Sequence, residues 1–130
     1  MNPPPPLIDQ RFVAGFLLGP LLGAILHAAV AGIFAGAGTR GFLYYLATSL
    51  AYGYATSLFL LLPAFLILRH YRLDLWPLCV AVGLAAGYIF HLAVFPAPAS
   101  ASNIGSLLLF GIMPFLFIAC SIRLIAGRRA

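Results

Sequence analysis

"FVAGFLLGPLLGAILHAAVAGIFAG", residues 12–36, holds a single ionisable side chain, His27, among apolar and small residues. A helix rises about 1.5 Å per residue, so about 20 such residues cross the hydrocarbon core of a bilayer, and this run is long enough. It is also too long for the apolar region of a signal peptide, typically about 7 to 15 residues, although "AGAG" follows it like a small-residue cleavage site. The run therefore reads as a retained transmembrane helix.

Three further runs repeat the pattern, at 42–68, 75–97 and 104–126. With 64% hydrophobic residues, 7% charged residues and a mean hydropathy of +1.10, the chain does not fit a soluble domain. The expected fold class is all-α: a polytopic transmembrane four-helix bundle occupying 1–130 as one integral membrane domain. "AGAGTRG" and "RHYRLD" are short links that make neighbouring helices antiparallel, and "PAPASASN" forms a third, ending in a helix cap at Asn103. Pro20, Pro63 and Pro114 lie inside the runs and predict local kinks. Tyr71 and Trp76 read as interfacial anchors, and Pro77 suits the first turn of the third helix.

The seven basic residues are all Arg, against Asp9 and Asp74. They sit at the ends of apolar runs and form no basic stripe, so nucleic acid is not an expected partner. Arg11, Arg69, Arg72, Arg123, Arg128 and Arg129 fall on one side and Arg40 alone on the other. The positive-inside rule then places both termini in the cytoplasm of a bacterial-type inner membrane. Cys79 and Cys120 lie within apolar runs and read as small buried residues rather than as a disulfide framework.

An echo runs through the chain. "GAILHAAV" (23–30) and "GYIFHLAV" (87–94) share Gly, Ile, His, Ala and Val in register, and the same offset aligns "ATSLFL" (55–60) with "ACSIRL" (119–124). The expectation is two tandem parallel-repeat hairpins, about 12–66 and 76–130, with His27 and His91 at similar depth. Each His follows glycines four and eight places earlier, Gly23 and Gly19 for His27, Gly87 and Gly83 for His91. Residues four apart share a helix face, so each His caps a bare groove.

Two readings of these grooves remain open. Small-residue faces let membrane helices pack closely, with the imidazoles hydrogen-bonding across the bundle. Alternatively, His27 and His91 are axial or polar ligands of a b-type haem or a quinone, with Gly19, Gly23, Gly83 and Gly87 as the groove, a loose resemblance to bis-histidine membrane cytochromes. Tyr45, Thr48, Ser49, Tyr52 and Thr56 recur at helical spacing on the second run and form the expected lining of any pocket. Two neutral imidazoles make an incomplete metal site, and no metal is assigned.

No nucleophile elbow, phosphate loop or carboxylate pair is present, and His70 in "HYRLD" reads as part of a solvated basic loop. The absence of an acid from the middle of any run ranks a transporter component third. The leading expectation is a non-enzymatic accessory, assembly or immunity-type subunit. It would act through helix contacts with a membrane-protein partner or a second copy in the lipid bilayer, the alternative being a redox or cofactor-binding subunit.

Overall fold

The computed structural model of the chain describes residues 3, 5–36, 38–94, 105 and 107–127. Among them there is no strand, and the chain forms four helical rods. The first is α1 (Gln10–Ala35); the second is α2 (Gly38–Thr56), continued through a π turn (Ser57–Leu61) into α3 (Leu62–His70). The third is α4 (Trp76–Val94), and the fourth is a π segment (Leu107–Ile112) running into α5 (Met113–Ala126). Three rods are long and apolar enough to cross a membrane; α5 by itself is shorter.

The expected runs map onto these rods with shifted ends. The second run begins at Gly38 and ends at His70, wider than 42–68, because Thr39, Arg40 and Arg69 are helical although they do not raise hydropathy. Positions 95–97 of the third run and 104 and 106 of the fourth lie outside the described residues, as do the Asn103 cap, Arg128 and Arg129. Pro77 does occupy the first turn of α4.

Local chemistry sets the helix ends. Asp9 caps α1, its Oδ1 accepting the Phe12 N–H at 2.7 Å. Gly36 ends α1 with φ 61°, a left-handed conformation that glycine adopts without a Cβ clash. The end of α3 is a Schellman turn: the Leu73 N–H donates to Leu68 O at 2.7 Å and the Arg72 N–H to Arg69 O at 3.2 Å, with Arg72 at φ 57°. Both π segments stand immediately before a proline pair, Leu62-Pro63 and Met113-Pro114. Proline lacks an N–H and crowds the carbonyl one turn earlier, and a widened turn accommodates both defects.

Packing centres on α5, which lies along both α1 and α4, while α2 lies along α1 and the second rod meets α4 chiefly at the π turn. The core contains Phe12, Leu61, Phe65, Phe115, Ile118 and Ile122. The small-residue faces explain its closeness. A Cβ on Gly19 would lie 2.5 Å from Ile122 Cγ1, on Gly23 2.6 Å from Ile118 Cα, on Gly83 2.8 Å from Ala119 Cβ, and on Gly87 2.5 Å from Gly111 O. Both glycine tracks of the echo are thus filled by one rod, the π segment with α5.

At the end where α1 begins, charge is braced inside the packing. Arg69 is 1% exposed, bonds Asp9 Oδ2 through Nη2 at 3.0 Å, and lies 4.7 Å over the Phe12 ring. Arg123 Nε donates to Asp74 O at 2.8 Å and its guanidinium lies 5.3 Å over Trp76. Desolvation acts to raise the Asp9 pKa, but the Phe12 N–H bond and the Arg69 charge outweigh it and hold the carboxyl below its ordinary 3.8. These arginines were read as topology determinants at helix ends; two of them also pin one rod to the next.

Candidate ligand cavity

The glycine track of α1 stops at His27, and there the packing changes. Below it Ile118 and Ile122 fill the groove; at His27, which is 2% exposed, the neighbour is α2. His27 Nδ1 and Ser49 Oγ are 2.6 Å apart, the hydroxyl donating to one ring tautomer and accepting from the other. Tyr45, one helical turn before Ser49, meets the His27 ring edge-on with centroids 5.9 Å apart. The Thr48 hydroxyl bonds back to Tyr44 O at 2.9 Å, so it is engaged within α2.

These groups line a cavity of about 320 Å³. One wall contains His27, Tyr44, Tyr45, Thr48, Ser49, Tyr52 and Gly53 from α1 and α2. Phe90 and Val94 of α4 and Pro114 and Phe115 of α5 complete it. Tyr52, Phe90 and Phe115 form a continuous aromatic run, with ring centroids 5.2 and 4.8 Å apart. Among the described residues, no Asp, Glu, Lys or Arg lines the space.

The expected site residues divide. Tyr45, Thr48, Ser49, Tyr52 and His27 come together around the cavity. Thr56 is buried in the second rod, one turn beyond Tyr52, and does not line it. His91, 4% exposed, is also absent from the wall; its Cβ lies 2.9 Å from the position a Cβ on Gly111 would occupy. Gly19, Gly23, Gly83 and Gly87 are packing surfaces against α5 and its π segment rather than walls of a void.

Several wall residues were not singled out from sequence. Tyr44 is one of them, and its position two turns before Tyr52, which was expected in the lining, is a usable signal for a shared face. Phe90, Pro114 and Phe115 carried none, because their role depends on how α4 and α5 approach α2. Among the described residues there is no group of three His, Cys, Asp or Glu side chains fit to hold a metal ion. Compared with models of protein families, with curated proteins and with solved structures, the chain matches none.

Proposed function

We propose that the chain is a non-enzymatic, four-span protein of a bacterial-type inner membrane that holds a small amphipathic molecule in this cavity. Its Arg-rich end and both termini would be cytoplasmic, as the Arg distribution suggests. The observation that carries the reading is the buried His27–Ser49 pair in the wall of an uncharged, aromatic-rich space. Binding sites are concave and mostly apolar with a few placed polar groups, and this cavity has that composition.

The geometry favours a small headgroup over a haem. The volume beside all four glycines is taken by the fourth rod and His91 is not among the wall residues, which favours one small ring over a macrocycle between the two histidines. The same packing weakens the glycine argument for an accessory subunit, since those faces are used within the chain. A protein partner would instead meet exposed side chains such as Leu17, Phe34 and Phe59. A two-fold relation of tandem hairpins would set the Gly83–Gly87 track on the second rod, whereas both glycine tracks lie against the fourth.

Native mass spectrometry of protein extracted in mild detergent tests the binding reading. The wild type should carry a small molecule that Thr48→Phe, which fills the cavity, releases. Bare protein in both samples overturns it.

A further inference from the structure

The cavity narrows its own ligand class, and the inference rests on the ligand-holding reading above. We infer that it takes a flat, uncharged ring bearing carbonyl acceptors on a long apolar tail, the chemistry of a membrane quinone.

Charge is the first argument. Burying an ion costs several kcal/mol unless a partner meets it, and no formal charge lines this wall. Asp9 and Asp74 are both held at the opposite end, with Arg69 and Arg123. A cation would have only ring faces to meet it, and an anion no basic side chain.

Shape is the second. The volume of about 320 Å³ is at the small end of ligand sites, which suits one ring rather than a macrocycle. Tyr52, Phe90 and Phe115 offer successive aromatic surfaces, and planar rings favour offset or edge contacts with such walls. Hydrogen bonding is the third. Tyrosine phenols and the His27–Ser49 pair supply N–H and O–H donors, which match carbonyl oxygens.

The exit for a tail follows from the packing. Tyr52 on α2 and Val94 on α4 are exposed members of the wall, and the second rod approaches α4 chiefly at the π turn. The flank between α2 and α4 therefore opens the cavity sideways. An apolar chain leaving there passes the Tyr52–Phe90 ring contact and enters lipid.

The test is equilibrium dialysis of the purified, detergent-solubilised protein with three probes sharing one tail: decyl-1,4-benzoquinone, decylbenzene and decyltrimethylammonium. Saturable one-site binding of the quinone is expected, at least tenfold tighter than either of the others. His27→Phe should weaken it by about tenfold, the equivalent of one hydrogen bond of about 1.4 kcal/mol. His27→Gln, which keeps a donor, should restore most of the affinity, and both variants are checked for an unchanged helical circular dichroism spectrum. Equal binding of quinone and decylbenzene, or tighter binding of the ammonium, overturns the quinone class while leaving the cavity a binding site. If no probe binds but the extracted wild type carries a molecule that Thr48→Phe releases, only the class fails. If that molecule is absent as well, both readings fail.

Discussion

The two ends of the molecule place polar groups inside apolar packing in opposite ways. At the Arg-rich end the groups are charged, paired and surrounded by filled space: Asp9 with Arg69 beside Phe12, and Arg123 with the Asp74 carbonyl beside Trp76. At the other end they are neutral and arranged around a cavity. A charge in a membrane protein is costly unless matched, so charged groups are confined to fixed contacts where they brace structure. Neutral donors can border open space at little cost, and can be re-paired by a ligand.

The largest effect that would break this contrast is expected at Asp9. Asp9→Ala removes the α1 cap and leaves the Arg69 charge without its carboxylate. The Asp9 side chain is 35% exposed, so solvent screening discounts the pair well below a fully buried one, and with the cap the loss is expected at about 2 kcal/mol. Thermal unfolding in detergent should register it as a lower melting temperature with the cavity probe still bound. The same contact gives a pH signature. Because the folded carboxyl titrates below its ordinary 3.8, its contribution is complete above that value and is lost as pH falls through the lowered pKa. Melting temperatures of wild type and Asp9→Asn should converge only as pH falls well below 3.8, while above that value wild type should be higher.

A graded glycine series gives the next largest effects. Gly87→Ala places a methyl 2.5 Å from Gly111 O, a backbone atom that cannot move aside, and overpacking of this kind costs about 1–3 kcal/mol. Gly53→Ala meets only the tip of Ile118 at 2.7 Å, so a rotamer change relieves it. Gly32→Ala has its nearest neighbour at 3.7 Å and should be neutral within about 0.5 kcal/mol. Equal melting temperatures for the three variants would contradict the packing of α4 on the fourth rod.

The sharpest test of the contrast, with only a small effect on stability, belongs to the two histidines. His27→Ala removes one interhelical hydrogen bond, worth about 0.6 kcal/mol in membrane proteins, and should weaken retention of the cavity ligand by about tenfold. His91→Ala trims a packing contact against Gly111 and should leave ligand retention intact. Equal loss of ligand in both variants would restore the paired-histidine reading.

How far the sequence was readable depends on which forces act within one segment. The apolar runs, the Asp9 signal and the Pro77 start depend on neighbouring residues, and the helices follow them closely. The polar face of α2 was readable for the same reason, since Tyr45, Ser49 and Tyr52 lie at helical spacing whatever α2 packs against. The difference between His27 and His91 was not readable. Their phrases match, but one faces a serine on a neighbouring rod and the other a glycine in a π segment, and only the packing decides that. The π segments themselves leave no mark in hydropathy, and the prolines signalled a disturbance without its form.

The π turn at Ser57–Leu61 also fixes the phase between the two ends. With Thr56 beside them, the buried positions on the second rod include Ser49, Gly53, Ser57, Leu61, Phe65 and Arg69, a stripe with a step of four. On a regular helix each such step overshoots by roughly 40°, so the stripe would wander around the rod. One extra residue in a widened turn takes back about 100° of that drift and keeps the cavity wall and Arg69 on compatible faces. The rod therefore counts residues as a gear counts teeth. Length changes in an exposed link leave the rods in register, whereas losing a single codon in this turn would rotate the cavity wall against the brace that anchors it.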